Sequence, residues 1–121
     1  VYQSKFGEKG NCFEACLASI LEKKLNEIPT LGSDEGWLHK LADFLSPFGL
    51  FYVEIDPENE EQRKVIEAMY DGKIYHFING ISPRGGEHAC VGLNGELVHD
   101  PHPNGGGLDK VNSWGFLGAM L

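Results

Sequence analysis

The dipeptide Asn94-Gly95 constrains this chain more than any other feature. Both residues tolerate the positive φ angles that a two-residue type I′ turn demands, and two runs of strand character flank them, His88–Leu93 and Glu96–Asp100. The spacing predicts an antiparallel pair with Leu93 opposite Glu96. In that register Ala89 faces Asp100 and His88 faces Pro101, which leaves His88 and Asp100 on opposite sides of the pleat unless a bulge near Pro101 re-aims one of them.

Upstream, apolar residues recur at Phe13, Cys16, Leu17, Ile20 and Leu21 behind Asn11, a good N-cap residue. This predicts a helix over Cys12–Lys24, with Lys23 and Lys24 complementing the dipole in its last turn. A second helix is expected from Ser33-Asp34 to Pro47, a strand over Leu50–Ile55, a polar helix over Pro57–Tyr70 and a strand over Lys73–Ile81. A Gly- and Pro-rich loop, Pro101–Gly107, follows the hairpin, and Ser113–Leu121 reads as a final strand or short helix. Helices first and antiparallel strands later indicate an α+β fold rather than a doubly wound sheet.

The 121 residues, 41% hydrophobic and 23% charged, suit one domain with one core, residues 1–121. A formal charge of −8 argues against a nucleic-acid partner, since such binding rests on Lys and Arg neutralising phosphates. The acidic run Glu54–Glu61 reads as a solvated loop and helix start. No apolar run approaches the roughly 20 residues that span a bilayer, and the N-terminus lacks the sections of a signal peptide, so a cytoplasmic protein without a membrane partner is expected. Three cysteines, Cys12, Cys16 and Cys90, give no disulfide framework, which also fits a reducing compartment.

Cys12 stands in the first turn of its helix, where unpaired amides favour thiolate, so a thiol pKa below the free value of about 8.5 is expected. Cys16 lies one turn on along the apolar stripe, and Cys90 has apolar strand neighbours; both read as inert core thiols. A cysteine nucleophile needs a base and a group that fixes the base's tautomer, and His88 with Asp100 supplies both. His39 in a helix and His76 in a strand read as structural. His99 and His102 flank Asp100 and, with Cys12 or His88, offer zinc-type donors, but no CxxC or HExxH spacing supports a metal, and none is expected. The glycine runs at Arg84-Gly85-Gly86 and Gly105-Gly106-Gly107 lack the following helix and Lys-Ser/Thr of a phosphate loop and read as loops bordering a cleft.

At GNCFEACLASIL (Gly10–Leu21), HACVGLNGELVHDPHP (His88–Pro103) and Gln3 the sequence resembles the papain-like cysteine peptidase superfamily, and more narrowly its bacteriocin-processing, double-glycine branch with small bacterial and phage relatives. The resemblance implies a papain-like α+β fold in which an N-terminal helix carrying Cys12 packs on an antiparallel sheet, with no cofactor. It implies that His88 acts as general base and then acid, that Asp100 orients the imidazole, and that Gln3 donates a hydrogen bond to the oxyanion. The interval from Gln3 to Cys12 is longer than the family often has, so Phe6–Asn11 must loop out. Phe13 stands where the family usually has glycine, which would narrow the cleft.

The function expected is a thiol hydrolase, peptidase or isopeptidase, acting on a peptide or protein, with a host protein among the targets that the phage-like resemblance suggests. The alternatives are an acyltransferase using the same Cys12 intermediate and a catalytically inactive papain-like module that binds peptide; the intact trio counts against the second.

Overall fold

The computed structural model describes residues 1–6, 10–32, 34–68 and 73–119. Helix α1 spans Cys12–Leu21. It stops short of Lys24 because Glu22 takes a left-handed conformation (φ 56°, ψ 44°) and the Lys23 N–H returns to the Ala18 carbonyl at 2.8 Å. Lys23 and Lys24 therefore lie beyond the helix, and Lys23 Nζ stands 5.0 Å over the Phe48 ring.

Helix α2 runs over Trp37–Leu45, later than expected, because Asp34 Oδ1 accepts the Gly36 N–H in a local turn that delays entry. Helix α3 covers Glu60–Ala68, and Asn59 Oδ1 caps it by accepting the Gln62 N–H. The expected extension to Tyr70, like the starting Ser33 of the second helix, lies outside the described residues. No helix among the described residues is long and apolar enough to cross a membrane.

The strands are β1 (Leu50–Ile55), β2 (Tyr75–Ile81), β3 (Glu87–Leu93), β4 (Glu96–His99) and β5 (Lys110–Ala119). They form one antiparallel sheet in the order β1-β5-β2-β3-β4. The last strand thus inserts inside the sheet, between β1 and β2. Two glycines suit it to that place: a Cβ on Gly115 would lie 2.3 Å from the Tyr52 hydroxyl, and one on Gly118 would lie 2.4 Å from the Phe51 ring. The expected alternatives for this segment resolve to a strand, begun three residues earlier than Ser113; residues 120 and 121 are outside the described set.

The helices cover one face of the sheet. Cys16, Leu17 and Ala18 of α1 and Leu41 and Leu45 of α2 bury against Phe77, Ala89 and Val91. By strand alternation His76 and Ile78 point to the other face, where the His76 ring stacks on Phe116 at 4.5 Å. The architecture is α+β, with an N-terminal helix on a five-stranded antiparallel sheet.

The hairpin contains the feature that places the site. Asn94 (φ 49°) and Gly95 (φ 88°) turn as expected, and Leu93 pairs with Glu96 and Gly92 with Leu97. Then Val91 pairs with His99 rather than Val98, so one extra residue sits in β4. From that point every side chain is re-phased, and Asp100 arrives on the face that holds His88 and Cys90.

Phe13 is the other local departure. Its ring stacks on Phe77 at 4.3 Å and 7° and meets Trp37 and Tyr52 edge-on at 5.3 and 5.5 Å. It fastens the start of α1 to the sheet. Phe13→Ala should therefore destabilise the fold by roughly 2–4 kcal/mol, less than the ~3–5 kcal/mol of a fully buried aromatic because the ring is only partly buried. Denaturant titration of both proteins checks this.

Candidate active site

Cys12 is the first residue of α1 and half-buried, whereas Cys16 and Cys90 are fully buried. Of the three thiols, Cys12 alone reaches solvent. Asn11 precedes it but makes no side-chain cap, contrary to expectation. Its Oδ1 instead accepts the N–H groups of Ser4 and Lys5, each at 2.9 Å, its Nδ2 donates to Ser4 Oγ at 3.0 Å, and its own N–H donates to the Lys5 carbonyl at 3.2 Å. Asn11 thus folds the N-terminal strap back onto the helix start.

That strap carries Gln3 to the site despite the long interval. The Gln3 N–H donates to the Pro101 carbonyl at 2.9 Å, and its Nε2 donates to the Lys5 carbonyl at 2.8 Å. Because Lys5 offers an acceptor, the nitrogen must be the atom that faces it. The second Nε2 hydrogen has no acceptor among the described residues, and the buried Oε1 has no partner, an arrangement that costs about 1–3 kcal/mol for an unsatisfied buried group.

The His88 Nε2 lies 2.7 Å from Asp100 Oδ1, and both side chains are almost fully buried. Asp100 Oδ1 also accepts the His102 N–H at 2.8 Å, and Oδ2 accepts the Gly107 N–H at 2.8 Å. Burial works to raise the Asp100 pKa, but the hydrogen bonds from His88, His102 and Gly107 outweigh it and hold the carboxyl below its usual range. A carboxylate acceptor on Nε2 fixes the proton there, leaving Nδ1 as the basic nitrogen.

Cys12 meets this pair through the strand. The Ala89 amide, one residue past His88, approaches the thiol, and together with the amides of Phe13 and Cys12 itself it favours thiolate. Burial opposes them and wins, with a small addition from Glu14, so the thiol pKa is raised rather than lowered as the helix position suggested. The helix start is pressed against β3, and the field of its amides does not offset the lost solvation. Among the described residues no hydrogen bond joins Cys12 directly to His88.

The remaining histidines separate cleanly. His99 Nε2 bonds the Val1 carbonyl at 2.7 Å and its ring meets Tyr2 at 5.2 Å, so it is directed to the strap and not to Cys12. His76 is buried and satisfied: Gly95 N–H donates to Nε2 at 3.0 Å, and Nδ1 donates to the Phe77 carbonyl at 3.0 Å. His39 is exposed on α2. His102 stands at the rim, its ring centroid 6.5 Å from that of His88 and 5.1 Å from that of the exposed Phe6.

Burial pushes the Cys90 thiol up to about 12, which keeps it protonated and unreactive, yet it is not remote from the chemistry. The donor atoms of Cys90, His88 and Asp100 lie within 4.8 Å of one another. Beside the helix start a cavity of about 790 Å³ is bordered by Ser4, Lys5, Asn11, Glu14 and Asp34, and excludes Cys12, His88 and Asp100. The supports of Asp100 were not singled out from sequence, although Asp100-Pro101 followed by His102 is a turn-forming run whose side chain bonds the amide two residues on.

Asp100→Asn retains the shape but sets an Nδ2 donor against the Gly107 N–H, so a loss of roughly 2 kcal/mol is expected at pH 7. The folded pKa of Asp100 lies below the unfolded value, so the unfolded state binds more protons between the two. The contribution is present above about pH 4 and is lost as pH falls through the folded value. Urea titrations at several pH values should show the two proteins converging in acid; a constant gap would contradict the assignment. Comparison with models of known protein families, with curated proteins and with solved structures finds no match to this chain.

Proposed function

We propose that this chain is a papain-like thiol hydrolase that attacks the carbonyl of an amide, isopeptide or thioester through Cys12, with a peptide or protein as substrate. The observation that carries the reading is the buried His88–Asp100 pair, 2.7 Å apart, held by two backbone amides one residue from the Ala89 amide that approaches Cys12.

Because burial keeps the resting thiol protonated, the chemistry runs by general base rather than by a preformed ion pair. His88 Nδ1 takes the thiol proton as sulfur bonds the carbonyl carbon. The Asp100 carboxylate stabilises the imidazolium that forms and holds the ring. The Cys12 N–H at the helix start and the free Nε2 hydrogen of Gln3 are the donors for the oxyanion. Imidazolium then protonates the leaving group, an acyl-enzyme remains on Cys12, and water activated by His88 releases it. Three unpaired thiols suit a reducing, cytoplasmic setting.

The test uses an activated thioester panel with mass detection of the acyl adduct. Cys12→Ala should abolish adduct and turnover with the fold retained; His88→Ala should slow turnover by about 10²–10⁴-fold, and Asp100→Ala by less. Iodoacetamide labelling of resting Cys12 should rise only above the ordinary thiol value of about 8.5, while turnover is already developed near neutrality. Turnover surviving Cys12→Ala, or an adduct on Cys90, sinks the proposal.

A further inference from the structure

Strand alternation sets His88 and Cys90 side by side on one face of the sheet, and the extra residue in β4 brings Asp100 to the same face. The result is an imidazole nitrogen, a thiol sulfur and a carboxylate oxygen, all within 4.8 Å of one another and all sheltered from solvent. We propose that His88, Cys90 and Asp100 form a binding site for Zn²⁺, separate from the nucleophile Cys12, and that its occupation switches the base off.

The donor set selects the ion. Mixed nitrogen, sulfur and oxygen ligands suit zinc, whereas Mg²⁺ and Ca²⁺ take oxygen alone. Three protein ligands leave a fourth tetrahedral position for water. The His88–Asp100 separation of 2.7 Å is a hydrogen bond, and has to open to about 3.3 Å for two zinc bonds of about 2.0–2.1 Å. The carboxylate is already oriented by the His102 and Gly107 amides, the kind of outer support that ligating groups need.

The proton balance links the ion to the base. Zn²⁺ displaces the Cys90 thiol proton, so one proton leaves to solvent for each ion bound. His88 can bind through Nε2 only as the other tautomer, with its proton on Nδ1. That nitrogen then has no lone pair for the Cys12 thiol, and Asp100 no longer orients the ring. Inhibition by zinc rests on the hydrolase reading; binding does not.

Co²⁺, which replaces zinc and absorbs light, tests binding on the full chain without any substrate. The wild type and Cys12→Ala should both develop a thiolate-to-cobalt charge-transfer band and tetrahedral visible bands, and added Zn²⁺ should erase them. Cys90→Ala should lose the charge-transfer band and weaken binding by more than the roughly 10–100-fold that loss of an outer support costs. Asp100→Asn, read in parallel with circular dichroism as a fold check, should keep the sulfur band at reduced affinity. Bands that survive Cys90→Ala, bands lost in Cys12→Ala, or no sulfur band in the wild type would each overturn the site. With a substrate in hand, zinc should inhibit the wild type and spare Cys90→Ala; equal inhibition of both would refute the switch.

Discussion

The single extra residue in β4 is the constraint on which the site depends. Without it, Asp100 would face away from His88, and His99 would take its place on that side of the sheet. With it, the carboxylate meets the imidazole at 2.7 Å, while His99 turns to the N-terminal strap. A bulge is inexpensive here because β4 is a short edge strand, so the unpaired residue, Val98, disturbs no second neighbour. Just past β4, Asp100 and the loop behind it replace the ladder with hydrogen bonds to their own amides, at His102 and Gly107.

A contest between solvation and local dipoles governs the thiol. The start of α1 is held by the Phe13 stack on one side and the Asn11 strap on the other. Both anchors press Cys12 toward β3 and withdraw it from water. Exposed helix starts lower thiol pKa values, but here burial outweighs the amides and the resting thiol stays protonated. A protonated thiol is less open to adventitious oxidation, and Cys12 is the one accessible thiol.

The N-terminal strap joins two parts of the site that lie far apart in the chain. Gln3 bonds Pro101 at its backbone, and Asn11 bonds Ser4 and Lys5, so the segment bridges the helix start and the corner that follows Asp100. The unsatisfied Gln3 amide is a strained element in an otherwise well-paired region. Buried polar groups usually find partners, and the Gln3 oxygen is a departure from that rule.

The local pieces are legible in the amino-acid order: the helix that begins at Cys12, the Asn94-Gly95 turn, the strand Leu50–Ile55 and the α+β order all follow from short-range periodicity and turn chemistry. It also singled out His88 and Asp100, because a base and an orienting carboxylate are recognisable as residue types. Whether the two could touch was open, since strand register is decided by how whole faces bury and not by the residues of the turn alone. The bulge at Val98, the interior place of β5, the role of Phe13 as an anchor and the company of Cys90 with the histidine–aspartate pair emerge from long-range packing alone. It also reversed the expected direction of the Cys12 pKa. A helix start is a local property readable from spacing, whereas desolvation depends on which distant strand packs over it, and no local pattern carries that information.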